Sequence, residues 1–146
     1  MPESFRTHPV ILPGDHTWIE VMDVTLDDDP TSWASSGITT KQFGEHELTG
    51  VLVGVHIEAV GTPTTVRIVP QFLVDRSEWY DFEEGFWASL MWEDTVPPVN
   101  KVFFLPLMGV DIFRFRAIGA GTDADNRFTV RIKIRGFAGP SLAPHA

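Results

Sequence analysis

At 146 residues and 43% hydrophobic, the chain matches one ordinary domain with enough apolar side chains to bury a substantial core. It holds no cysteine, which excludes disulfides and thiolate metal sites, and its net charge of −9 argues against nucleic acid as a partner. No apolar run approaches the roughly 18 residues that a membrane helix needs, and the opening MPESFRTHPVILPGDHT lacks the basic-then-apolar order of a secretory signal, so the expectation is a protein without a membrane partner, made in the cytoplasm.

Met1–His16 carries Pro2, Pro9 and Pro13, which excludes regular helix and disfavours a central strand. The expectation is an extended N-terminal arm over 1–16, with Val10, Ile11 and Leu12 as an apolar anchor. Thr17–Leu26 alternates like a strand, although neither face is purely apolar, and Asp27, Asp28, Asp29 and Pro30 end it. Those three carboxylates lack the alternating ligands, glycine and distal glutamate of a calcium loop. Thr31–Glu47 reads as a long loop with a short strand at Ile38–Gln42.

Leu48–Val60 is a clear strand, in which Val51, Val53, Val55 and Ile57 alternate with Leu52, Gly54, His56 and Glu58. Its glycines at 50 and 54 predict a bulge or a close backbone approach. Thr64–Val74 is a third strand, and Pro70 within it predicts an edge position or a bulge. Over Asp75–Glu93 a loop followed by a strand at Phe86–Trp92 is expected, then a turn at Pro97 and Pro98 and a buried strand at Lys101–Leu107.

Asp111–Phe137 shows the cleanest alternation in the chain. Phe113, Phe115 and Ala117 occupy one register, and Phe128, Val130, Ile132 and Ile134 another, either side of a turn rich in glycine, aspartate and asparagine. The spacing predicts a long hairpin with an apolar face and a basic face of Arg114, Arg116, Arg131, Lys133 and Arg135. Like charges facing each other across strands are destabilising, so such a face wants an acidic neighbour. Charge is unevenly spread in the same sense: beyond residue 113 there are six basic against two acidic residues, and before it five against eighteen. That asymmetry favours oriented association with an acidic partner or with copies of the chain. The tail Ala138–Ala146 reads as a flexible C-terminal extension.

Seven or so strands at short spacing and no clear helix predict an all-β single domain over 17–137, an antiparallel β-sandwich of jelly-roll or Greek-key type. No catalytic constellation is visible. The histidines show no metal-binding spacing, although His46 and His56 have glutamates nearby. GAGT at Gly119–Thr122 sits at a turn and not between a strand and a helix, and the serines lack an elbow motif. The expectation is therefore no enzyme, no cofactor and no metal. Acidic residues Asp81, Glu83, Glu84, Glu93 and Asp94 do flank Trp79, Tyr80, Trp87 and Trp92, a combination suited to stacking sugars.

The segment RFRAIGAGTDADNRFTVRIKIRGF, an RxRA strand, a turn and a closing FTVxIxIRG strand, resembles the last hairpin of small β-sandwich structural proteins from tailed bacteriophage virions. The resemblance spans about a quarter of the chain. It implies a capsid decoration or cement subunit on the capsid exterior, assembled in the host cytoplasm, whose partners are the major capsid protein or another virion protein and itself as a homo-oligomer. It implies no catalytic residue. Val10, Ile11 and Leu12 and the basic residues Arg114, Arg116, Arg131, Lys133 and Arg135 are the expected contacts. The alternative is a carbohydrate-binding or host-recognition module with Trp79, Tyr80, Trp87 and Trp92 as the platform. A tryptophan exposed on a concave face distinguishes it.

Overall fold

The computed structural model describes residues 18–40, 48–82 and 99–138. The expected arm with Val10, Ile11 and Leu12, the residues His46, Trp87 and Trp92, the strand at 86–92 and the tail beyond 138 lie outside the described residues. Those described are all-β, in nine strands: β1 (Ile19–Leu26), β2 (Ser32–Ala34), β3 (Ile38–Thr39), β4 (Leu48–Val60), β5 (Thr65–Val74), β6 (Glu78–Asp81), β7 (Val99–Pro106), β8 (Ile112–Ala120) and β9 (Arg127–Ala138). One sheet has the order β1-β9-β4-β7. The other has the order β2-β8-β5-β6, with β3 also on β8, and every pairing in both sheets is antiparallel.

The pairings are nested: β5 with β6, outside that β4 with β7, then β2 with β8, and outermost β1 with β9. Further ladders, β4 with β9 and β5 with β8, join these pairs into sheets. The chain thus behaves as one long doubled ribbon bent over itself. Met22, Val51, Val53, Val55, Ile57, Val130, Ile132 and Ile134 from the first sheet share one core with Val66, Ile68, Phe113, Phe115 and Ala117 from the second, a sandwich-like arrangement. Truncating a fully buried phenylalanine such as Phe115 in a core of this kind costs about 3–5 kcal/mol.

The expected hairpin between β8 and β9 does not form. β8 lies in the second sheet and β9 in the first. Phe113 and Phe115 therefore face Val130 and Ile132 across the core rather than along a ladder. Both apolar registers must point inward, so a local hairpin would have put all of them on one side of one sheet with nothing opposite. Lys101–Leu107 is also corrected. In β7 only Leu105 is fully buried, while Val102 and Phe104 are 61% and 49% exposed.

Pro70 is at neither the edge nor the bulge expected: β5 lies between β8 and β6, and its register with β8 runs unbroken through Pro70. β6 ends at Asp81, which pairs with Gln71, and Pro70 only accepts a bond there, from the Phe82 N–H. Its missing donor is thus placed where the β6 ladder stops. Residues 31–40, the described part of the expected loop, are less loop-like than their composition suggests. Ser35 bridges β2 and β3 along the edge of β8: its N–H donates to the Phe115 carbonyl and its Oγ accepts from the Phe115 N–H at 3.0 Å. Thr40 is buried and its Oγ donates to the carbonyls of Val110 and Asp111. Both hydroxyls serve the backbone.

β6 itself carries no glycine signal in sequence. Its turn, Val74–Ser77, has Asp75 and Arg76 at φ 55° and 59°, closed by the Ser77 N–H on the Val74 carbonyl. Two left-handed central residues make the turn whose twist suits a hairpin, but side chains there are strained by about 1–2 kcal/mol each. Arg76→Gly is expected to raise the chemical-denaturation midpoint, by a stability gain of about 0.5–1 kcal/mol after the entropy cost of glycine. Gly121 has φ 68°, and a Cβ there would lie 2.0 Å from Thr64 Oγ1. Gly121→Ala is accordingly expected to lower the midpoint, by about 1–3 kcal/mol, and an unchanged midpoint would show that the two loops do not pack this way.

Candidate functional site

The outer face of the first sheet is built from residues that alternate with the core. Its antiparallel registers align Asp23, Arg131, His56 and Asn100 in one row across β1, β9, β4 and β7. The next rows along are Glu20, Lys133, Gly54 and Val102, then Arg135, Leu52 and Phe104. Cations therefore line β9 and apolar side chains line β7, separated by β4. Residues two apart on a strand face the same way at about 7 Å spacing. Arg131, Lys133 and Arg135 form such a ladder.

Gly54 leaves a depression between Lys133 and Val102. Trp18, just before β1, reaches over it: a Cβ built at Gly54 would meet Trp18 Cζ3 at 3.5 Å. Phe104 does the same at Gly50, where a Cβ would come within 2.4 Å of its ring. The two glycines of β4 thus mark close approaches, and Leu48–Gly50 also carries a register irregularity. Aromatic rings laid over strand glycines restore packing that the missing side chains forfeit. Trp18 remains 38% exposed. It borders an open groove of about 480 Å³ together with Gly54, His56, Asn100, Val102, Arg131 and Lys133, within the size range of ligand sites.

His56 is held by two acceptors, Asn100 Oδ1 on Nδ1 at 2.5 Å and Glu58 Oε2 on Nε2 at 2.8 Å. Accepting groups at both ring nitrogens suit the doubly protonated imidazolium. The Asn100 bond and then the Glu58 bond raise the His56 pKa above its ordinary 6.5, against partial desolvation and Arg131. The His56 bond in turn lowers the Glu58 pKa. Arg131 stands 3.6 Å from Asp23, with both side chains about half exposed. An ion pair this open is weak and exchangeable. Lys133 has no ion-pair partner among the described residues.

The five basic residues expected on one face are divided. Arg131, Lys133 and Arg135 lie on the outer face of the first sheet, whereas Arg114 and Arg116 are on the outer face of the second. Arg114 is occupied there. Its Nε donates to Gln71 Oε1 at 2.7 Å, Gln71 donates to Asp81 at 2.8 Å, and its guanidinium lies 4.1 Å from the centre of the Trp79 ring. Burial, then the charge of Arg116, lowers its pKa. Gln71 is only 5% exposed and satisfied at both ends of its amide.

Trp79 and Tyr80 are adjacent on β6, so they point to opposite faces of their sheet and do not form one platform. No group of three potential metal ligands occurs among the described residues, and no helix there is long and apolar enough to cross a membrane. Sequence reasoning missed Trp18, Val102 and Phe104 as surface groups. For Trp18 and Phe104 the usable signal was the pair of glycines in β4, which call for aromatic cover. For Val102 there was none, because edge position is set by the sheet order.

A His56 pKa above 6.5 means that its stabilising contribution is fully present below about pH 6.5 and is lost as pH rises through the folded-state value. Titration of the His56 ring protons by NMR is expected to give a value above 6.5 in the native chain and a lower one in Glu58→Gln. An unshifted native value would mean that the two acceptors are not engaged. Neither a family model nor a curated protein matches the chain.

Proposed function

We propose that the chain is a non-enzymatic virion structural protein of the capsid decoration or cement type. It docks on a preformed shell and holds neighbouring subunits together through the outer face of its first sheet. The observation that carries this reading is the pairing of exposed apolar Val102 and Phe104 with the cationic ladder Arg131, Lys133 and Arg135 on one side of one sheet. Docking interfaces combine an apolar centre that excludes water with a charged rim that steers and orients the partner. Met108, 80% exposed just beyond β7, extends the apolar part.

The nested pairing supports a jelly roll as the finer architecture, a fold shared by capsid and lectin domains. That link is an analogy of fold and carries no residue roles. The arm over 1–16, with Val10, Ile11 and Leu12, is proposed as a second contact, made with the shell or with another copy. A second reading, the carbohydrate-binding or host-recognition module, is favoured by one observation, the exposed Trp18 beside an open groove. Its platform would include Trp18, which the sequence reading of Trp79, Tyr80, Trp87 and Trp92 did not name.

The test is attachment to particles. The native chain is expected to co-sediment with virions purified from the cells that make it, and Val102→Asp, a change at a solvent-facing position, to detach it while leaving its melting temperature within about 2 °C. A particle fraction without the chain would overturn the structural reading. Glycan binding by the free chain, abolished by Trp18→Ala, would establish the second reading in its place. Light scattering with and without residues 1–16 is expected to show a homo-oligomer that dissociates when the arm is removed.

A further inference from the structure

Resting on the docking reading, we propose that the depression over Gly54 is the seat of the partner's docking element, an extended acidic segment of a polypeptide. The segment's carboxylates lie on Lys133 and Arg131, and one apolar side chain enters between Trp18 and Val102. Three features select this occupant. The groove is open along the sheet, with Arg131 and Lys133 on the β9 side, Lys101 and Val102 on the β7 side and the Trp18 ring over Gly54, so cations flank an apolar centre. Its cations repeat every second residue, about 7 Å apart, the same repeat that an extended chain gives to acids at alternate positions. Lys133 stands opposite Glu20 in the β1–β9 ladder without forming an ion pair among the described residues, and the Asp23 partner of Arg131 is solvent-exposed at 3.6 Å, so a partner's carboxylates can compete for both cations.

The floor of the groove has to be small. A methyl at position 54 would meet only ordinary contacts, Trp18 Cζ3 at 3.5 Å and the Lys133 carbonyl at 3.8 Å. The fold therefore tolerates alanine there. A leucine would fill the space that the incoming side chain needs. His56 contributes a further positive charge at the end of the groove below its pKa, which the bonds to Asn100 and Glu58 hold up. Binding of an acidic segment is therefore stronger at pH 6 than at pH 8.

The experiment uses the full chain, labelled for NMR, and three probes: a heptapeptide alternating glutamate and valine around a central phenylalanine, its lysine counterpart, and an oligogalacturonate. The acidic peptide is expected to shift the amides of residues 54, 102, 131 and 133 and to weaken in high salt. Lys133→Glu and Gly54→Leu are each expected to weaken it about tenfold or more, and Gly54→Ala by much less. Binding of the oligogalacturonate alone, binding of the lysine peptide at the same amides, or no response to any probe overturns the inference. Attachment to particles separates this from the broader reading. If the chain sediments with virions and Lys133→Glu does not release it, the groove assignment fails and docking stands. If the chain is absent from virions but binds the acidic peptide, docking to a shell fails and the groove assignment stands.

Discussion

One apolar layer shared by two sheets is the constraint on which the rest of this molecule depends. Every long strand buries alternate side chains in it, and the most regular of them, β8 and β9, supply Phe113, Phe115, Phe128, Val130, Ile132 and Ile134 from opposite sides. Two strands with equally apolar registers are best satisfied when they face each other through the core. Pairing along one ladder would leave half of that surface to be covered by something else. The turn between them spans the edge of the sandwich, where Thr122 and Asn126 tie it to Asp27 and Thr62 through side-chain bonds.

Dividing β8 from β9 also divides the charge. The cations that alternate with the core residues are carried to opposite outer surfaces, so the repulsion of a single five-cation face never arises. On the second sheet Arg114 is absorbed into a network with Gln71, Asp81 and Trp79, a polar arrangement satisfied within the chain. On the first sheet Arg131 and Lys133 remain near water, separated by β4 from the exposed Val102 and Phe104 of β7. The two faces have different consequences: on one, Arg114 is committed within the chain, and on the other Arg131 makes only an open ion pair while Val102 and Phe104 are exposed.

Glycine completes the asymmetry. In β4 the two positions without side chains are overlain by Phe104 and Trp18, which draws large apolar rings onto the solvent side of the sheet. A valine at position 54 would fill the space beneath Trp18 and close the groove beside it. The same substitution pattern that weakens a strand locally thereby creates the concavity on its surface.

Alternation alone was enough to locate β4 to the residue, to place β5 within one residue, and to identify the inward registers of β8 and β9, because side-chain period two is a local property of the backbone. Pro70 did not mark the edge or bulge expected, because the end of the β6 ladder leaves room for its lost donor inside the sheet. Pairing partners were not legible. Of the described pairs only β5 with β6 joins neighbours in the chain, and its turn uses Asp75 and Arg76 in place of the asparagine and glycine that signal such turns. Which strand lies at an edge, which cations share a face and which tryptophan meets the groove all follow from the nested order of the sheets. That order is decided by contacts between residues far apart in sequence. Sequence alone determined which side of β4, β8 and β9 is apolar; only closure of the two sheets on one core decided what the other side would face, because burial is a property of the assembled layers.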